Sequence, residues 1–259
     1  KTPMPENLRN NIRNRFRGLL QKTRKENLVV IARSSSEMED LPGMGFSGLY
    51  DSIPDIRTEA EVIPAVQRVW ASLFSEKVLD YILNHIKNQK HGLVFPRVKQ
   101  GVILQRMVST SIAGVAHAEI NPQTGKYSLY IETGKGENDS VVNAKVIPDL
   151  WDIEDQNGQF QILKERPASS EALSLDRKKI LEISHFIREM STYFYQIYHI
   201  QNLNTEFGFD QNGELYFFQV KPSSMPPHQP EENAERSDLK MISGIGASSG
   251  QVSARVVKV

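Results

Sequence analysis

The 259-residue chain contains no cysteine, which excludes disulfides, thiolate metal sites and thiol nucleophiles together. It carries no net charge, with 31 basic against 31 acidic residues, so no global field draws it to nucleic acid or to an anionic membrane. No apolar run approaches the roughly 20 residues that span a bilayer. The opening KTPMPENLRNN lacks the apolar centre of a signal peptide. A soluble cytoplasmic protein with no nucleic-acid and no membrane partner is the expectation. The sequence has no G-x-x-x-x-G-K-[ST] loop, no internal repeat and no low-complexity tract. At this length it can fold as one large domain or two small ones around a sizeable core.

The residues that carry chemistry concentrate near the end, in Leu203–Pro222 (LNTEFGFDQNGELYFFQVKP). Asn212-Gly213 favours a two-residue type I′ hairpin turn, because both positions tolerate positive φ. That turn pairs Gln211 with Glu214 and therefore Glu206 with Gln219. Strand alternation then places Asn204, Glu206, Gln219 and Lys221 on one face. Leu203, Phe207, Phe209, Tyr216, Phe218 and Val220 fall on the other, core-facing side. A Glu/Gln oxygen pair suits Mg²⁺, which takes hard ligands and shares phosphate oxygens. Lys221, two residues beyond Gln219, is placed to meet the same phosphate. For a lone hairpin, an ordinary solvated polar face is the plainer reading.

Pro5–Asn27 reads as a basic helix with Leu8, Ile12, Phe16 and Leu19 at helical spacing. Leu28–Ala32 is a buried strand that runs into Arg33–Ser52. There a cation, hydroxyls and the hinge residues Pro42, Gly43, Gly45 and Gly48 form a candidate phosphate cradle. Thr58–Ile86 is a packing helix, started or kinked by Pro64, whose stripe includes Val62, Val66, Val69 and Phe74. Gly101–Val108, Ser111–Ile120, Tyr127–Glu132 and Ser140–Ile147 read as strands. Asp149–Lys164 is an excursion of one or two strands about Asn157-Gly158. Ser174–Gln201 is a helix capped by Ser174, with Ile180, Ile183, Ile187, Met190 and Phe194 buried and an aromatic tail packed on the hairpin. His117, with no second histidine at ligand spacing, reads as a satisfied interior residue. A Pro-rich, charged linker follows Pro222.

Two segments carry a family resemblance. Glu206–Pro222 fits E-x-x-x-D-x-x-G-x-L-Y-x-x-Q-x-[RK]-P, and Arg33–Gly48 is similar to V-R-S-S-A-x-x-E-D-L-P-x-x-S-F-A-G, matching at Arg33, Ser34, Ser35, Glu39, Asp40, Leu41, Pro42, Phe46 and Gly48. Both resemble the N-terminal ATP-grasp nucleotide-binding domain of the phosphoenolpyruvate synthase and pyruvate phosphate dikinase family. The resemblance implies an α/β (α+β) fold of mixed and antiparallel sheets packed with helices. It implies ATP and Mg²⁺ as cofactors, with Glu206 and Gln219 on the metal and Arg33 and Lys221 as catalytic phosphate clamps. Arg33, Ser34, Ser35 and Gly48 would bind nucleotide, and Gln105, Arg106, Met107 and Val108 would present backbone to the purine edge. The usual Arg of Q-A-R-P is here Lys221 in Q-V-K-P.

The same resemblance implies domain limits of 1–225 for an N-terminally incomplete ATP-grasp domain, 226–239 for a linker and 240–259 for the opening of a swivelling phosphohistidine domain. The expected reaction moves the β-phosphate of ATP to a histidine on that following domain and then to pyruvate. The partners are thus the nucleotide and downstream phosphohistidine and pyruvate-binding domains; a homodimer is admitted. Because the family's upstream K-G-x-N-L-x-E-L segment does not precede Arg33, the isolated chain is expected to be inactive and to bind Mg-ATP weakly or not at all. Two alternatives stay open: another acceptor, an α-glucan or rifampicin, or a catalytically silent nucleotide-binding module. Gly48–Pro54 (GLYDSIP) leans towards the glucan enzymes.

Overall fold

A computed structural model describes residues 3–23, 28–36, 49–87, 99–136, 141, 146–156, 158–168 and 173–223. The chain divides into two compact units, Lys1–Val108 and Ser109–Val259. Each pairs an antiparallel sheet with helices, which gives the expected α/β (α+β) class, consistent with an ATP-grasp-like domain; every described ladder is antiparallel.

In the first unit, helix α1 (Glu6–Thr23) and helix α2 (Glu59–Ser72) cover a three-stranded sheet ordered β2-β1-β3: β2 is Ile53–Ile56, β1 Val30–Ser36 and β3 Gln100–Arg106. Phe16, Val30, Ala32, Val62 and Val69 are fully buried there, because their spacing keeps them on the inward stripe or strand face. The single helix expected over Thr58–Ile86 is two. Thr58 starts α2 with a capping box to Glu61, so Pro64 lies inside the helix rather than at its start. After Ser72 the amides of Leu73, Phe74 and Ser75 turn back onto carbonyls three residues earlier, and Ser75 then accepts the first bonds of helix α3 (Glu76–Lys87). This break turns Phe74 out of the stripe, and it is 72% exposed.

The second unit is a six-stranded sheet ordered β7-β6-β5-β4-β8-β9 with helix α4 (Arg177–Tyr198) on one face. The strands are β4 (Thr110–Ile120), β5 (Tyr127–Lys135), β6 (Asp149–Gln156), β7 (Gln159–Arg166), β8 (Asn202–Asp210) and β9 (Leu215–Pro222). Ile180, Ile183 and Ile187 of α4 pack on Ala116, Ala118, Ile131, Leu203 and Phe207. The cap of α4 is Asp176, whose carboxylate accepts from Lys179 N at 2.8 Å. Ser174, the expected cap, is used elsewhere: its N–H donates to Asp149 and its hydroxyl to Thr133. Of the aromatic tail, Phe194 joins the core while Tyr193 and Tyr198 stay more than half exposed. The helix meets the hairpin through Phe186 and Phe217, whose ring centroids are 6.2 Å apart.

The strand expected over Ser140–Ile147 lies largely outside the described residues, as do the linker and terminal segment beyond Ser223. Among the described residues no helix is long and apolar enough to cross a membrane.

Candidate functional site

The Glu206–Gln219 pair is present, but the chain reaches it by another route than a two-residue turn. Asp210 Oδ1 accepts from Asn212 N at 2.8 Å and Glu214 N at 3.0 Å, and Gly213 N donates to Asp210 O at 3.0 Å. Only Gly213 has positive φ, at 81°, so residues 211–213 form a three-residue loop. That loop pairs Phe209 with Leu215 and Phe207 with Phe217, one position off the expected register. An extra residue, Phe218, then bulges between Phe207 and Glu206 and restores the pairs Glu206–Gln219 and Asn204–Lys221. The core row of β9 is therefore Leu215, Phe217 and Val220, in place of the expected Tyr216, Phe218 and Val220. Tyr216 pairs with Gly208 on the opposite face, and Phe218 lies beside Gly208 there.

Glu206 is 8% exposed, whereas Gln219, Lys221 and Asn204 are half-buried. The register carries their face further. Glu206 pairs with Val115, which pairs with Glu132; Asn204 pairs with His117, which pairs with Tyr130, and Tyr130 with Asp152. Two adjacent rows result, Gln219–Glu206–Val115–Glu132 and Lys221–Asn204–His117–Tyr130–Asp152, opposite α4. Asn204 Nδ2 lies 3.4 Å from His117 Nδ1. Burial, and secondarily the Lys221 charge, hold the His117 ring below its ordinary pKa. Burial, with the carboxylates of Glu132 and Asp152 adding to it, pushes the Tyr130 phenol far up. Sequence reading did not assign Tyr130, Glu132 and Asp152; the signal was their alternation with the buried Leu129, Ile131 and Ile153.

In the first unit, β1 extends past Ala32 through Ser36 because β3 pairs with it throughout. Arg33 is thus a strand residue rather than the start of a loop. Its Nη1 donates to Gln105 Oε1 at 3.3 Å. Arg33 and Gln105 share the face opposite Val30 and Ala32, together with Ser35 and with Ile103, which is 51% exposed. Alternation sends Ser34 to the other face. In the segment read as a purine hinge, Met107 N–H donates to Val29 O at 2.8 Å, and Asp55 N donates to its sulfur at 3.3 Å. Arg106 pairs with Val30, and Val108 ends the unit. Gly48 and the cradle residues 37–47 lie outside the described residues, while at the far end of the cradle Tyr50 is buried and Asp51 N donates to Ser72 Oγ at 3.0 Å.

Among the described residues no three His, Asp or Glu side chains converge as a protein-only metal site. Glu206 and Gln219 supply two hard oxygens on adjacent strands, the kind of partial set that Mg²⁺ completes with phosphate and water. Lys221 lies one residue pair along the same face, so a cation stands beside the two oxygens. The chain belongs to the family of the pyruvate phosphate dikinase AMP/ATP-binding domain, whose model matches residues 1–241. It is 27% identical over 275 residues to a probable phosphoenolpyruvate synthase of Methanothermobacter thermautotrophicus, covering 98% of this chain and 38% of that protein. A probable phosphoenolpyruvate synthase of Staphylothermus marinus is 34% identical over 162 residues, covering 61% of this chain and 19% of its own length. The uncharacterized phosphotransferase YvkC of Bacillus subtilis is 32% identical over 145 residues, with coverages of 56% and 16%. The chain thus spans well under half the length of these relatives. Its place is that of a dikinase-type nucleotide-binding part.

Proposed function

We propose that the chain binds Mg-ATP for a dikinase that passes the β-phosphate of ATP to a histidine on a following domain and from there to pyruvate. The observation that carries this reading is the buried Glu206 opposite Gln219, one residue pair from Lys221, on a single sheet face. Glu206 and Gln219 would hold the cation by their oxygens, and Lys221 would neutralise the phosphate beside it. Mg²⁺, when bound, would supply charge neutralisation across the phosphate chain, and little covalent help from protein would be required. In the first unit Arg33, whose Nη1 donates to Gln105, would be a phosphate-binding residue in its own right, with Ser35 on its face. The histidine nitrogen would take the β-phosphorus as the α–β anhydride breaks and AMP leaves, and the γ-phosphoryl group would pass to water or to phosphate as the β–γ anhydride breaks. Residues 240–259 would open the phosphohistidine domain that receives it.

The naming of several relatives as phosphoenolpyruvate synthases supports pyruvate as acceptor. Lys221, where the family resemblance has arginine, favours one further reading: a nucleotide-binding module with slowed or no transfer, because an ammonium lacks the bidentate fork. The test is equilibrium binding of ATP to the chain with and without Mg²⁺, carried to the millimolar concentrations at which a weak complex registers, compared with Glu206→Gln and Gln219→Leu. Mg²⁺-dependent binding that both substitutions remove is the expected result. Binding that is indifferent to both substitutions sinks the reading.

A further inference from the structure

The polar face does not stop at the hairpin. Lys221, Asn204 and His117 stand side by side on β9, β8 and β4, one residue pair along from Gln219 and Glu206. Val115 fills the remaining position of this two-by-three array with an apolar side chain. The first row holds the proposed cation ligands, and the second begins with the proposed phosphate clamp. His117 is the β4 member of that second row, which runs on to Tyr130 and Asp152, and no part of the proposed transfer uses it. We propose that His117 is a further nucleotide-binding residue, donating a hydrogen bond from its Nε2–H to the phosphate chain that Lys221 also meets; this rests on the function proposed above.

Asn204 sets the chemistry of the ring. Its amide Nδ2 can only donate, so at 3.4 Å it makes His117 Nδ1 the acceptor. A neutral imidazole then carries its single hydrogen on Nε2, the nitrogen farther from the main chain. The groups around the ring favour that neutral form. Lys221 lies one strand beyond Asn204, burial opposes a second proton, and the Tyr130 ring centroid is 6.3 Å away. The carboxylates on this face include Glu206 and Asp210 on β8, Glu132 on β5, Asp152 and Glu154 on β6 and Glu119 two residues along β4, and Lys164 and Arg166 of β7 join Lys221 as its cations. Two of these, Glu206 and Glu132, pair with Val115 and not with His117. A neutral N–H donor beside an ammonium suits an oxygen-rich polyanion, since it adds a directed bond to an undirected charge.

The experiment is ¹⁵N NMR of the His117 ring in the full chain, titrated separately with Mg-ATP, magnesium tripolyphosphate and adenosine. Mg-ATP and tripolyphosphate are expected to shift Nε2 while Nδ1 stays acceptor-like, and adenosine is expected to leave both in place. His117→Leu should weaken Mg-ATP binding about tenfold, the loss of one hydrogen bond to a charged group. His117→Gln should recover most of it, and adenosine binding should not change in either. The Val115 methyl signals report occupancy of the array without touching His117. Shifts at Val115 with Nε2 unmoved, or a Leu variant that binds as the parent does, overturn the inference and leave the nucleotide reading standing. No response at Val115 or His117 to either polyphosphate overturns both. The wild-type spectra decide the matter even where a variant fails to fold.

Discussion

Arg33 and Glu206 both project from an antiparallel sheet whose opposite face is core, yet the chain holds them differently. Glu206 sits on β8, flanked by β4 on one side and β9 on the other, and is almost fully buried. Its position is over-determined by two ladders and by the helix behind them. Arg33 sits on the central strand of a three-stranded sheet, half-buried, with a 3.3 Å bond from one guanidinium nitrogen to Gln105. A cation ligand gains from being fixed in advance, because a misplaced oxygen loses the ion. A phosphate clamp tolerates more freedom, since charge acts over distance. The contrast is thus one between a preset oxygen pair and a tethered cation, and substitutions should separate the two.

The largest effect is expected at the preset pair. Glu206→Gln keeps the shape and removes the charge, so phosphoryl transfer by a polypeptide that also carries the histidine domain should fall by about 10²–10³. Stability should hardly change. If transfer survives at more than a tenth of the parent rate, the pair is not the cation site. Next comes Lys221→Ala, which removes the proposed phosphate clamp and should cost about a hundredfold, or about 3 kcal/mol. Lys221→Arg should preserve or raise the rate, because the guanidinium can hold two phosphate oxygens. Histidine phosphorylation at saturating Mg-ATP measures both, and an alanine variant as fast as the parent favours the silent-module reading.

The two sheets can also be compared by adding one methyl group to each. Gly114 on β4 faces the core, and a Cβ there would run into the Phe207 ring and lie 2.6 Å from the Glu132 carbonyl oxygen. Gly101 on β3 has only ordinary contacts to Ser35, at 3.6 Å and beyond. Gly114→Ala should therefore lower stability by about 2 kcal/mol through overpacking. Gly101→Ala should be neutral or slightly stabilising, since alanine leaves less chain entropy to lose. Denaturant midpoints of the two variants test this, and equal midpoints would remove the contrast in packing.

Much of this was legible beforehand because it rests on periodicity. The stripe of Ile180, Ile183 and Ile187 and the alternation of Leu203, Phe207 and Phe209 each have one way to face a core. What was not legible depends on partners distant in sequence or on a side chain taking backbone bonds. β1 runs on through Arg33 because β3 lies beside it, some seventy residues later in the chain. The break after Ser72 and the capture of Ser174 by Asp149 and Thr133 are of the same kind. The candidate site followed this division. The two-residue turn expected at Asn212-Gly213 does not form, and Glu206 meets Gln219 only because the bulge at Phe218 cancels the one-residue offset, whereas the Arg33–Gln105 contact and the row through His117 needed the register of strands that no dipeptide encodes.

The smallest expected effect concerns the hairpin tip, where two codes disagree. Asn212-Gly213 by itself favours a two-residue turn, which would pair Phe207 with Phe218 and leave no bulge. The Asp210 carboxylate instead takes the amides of Asn212 and Glu214, and the three-residue loop that results needs the bulge at Phe218. The core sides with the carboxylate, because the bulge puts Phe217 against Phe186 and the α4 face. Asp210→Ala removes the acceptor for two exposed amides and should cost about 1 kcal/mol. It should not change the register, since moving Phe217 out of the core would cost more than the turn regains. Cross-strand NOEs decide between the two outcomes. Retained Phe217–Phe186 contacts with an intact Glu206–Gln219 pair mean that packing fixes the tip. A new Phe207–Phe218 pairing would falsify that and make Asp210 the residue on which the register depends. In both registers Glu206 still faces Gln219, so Mg-ATP binding should be unchanged whichever way the tip goes.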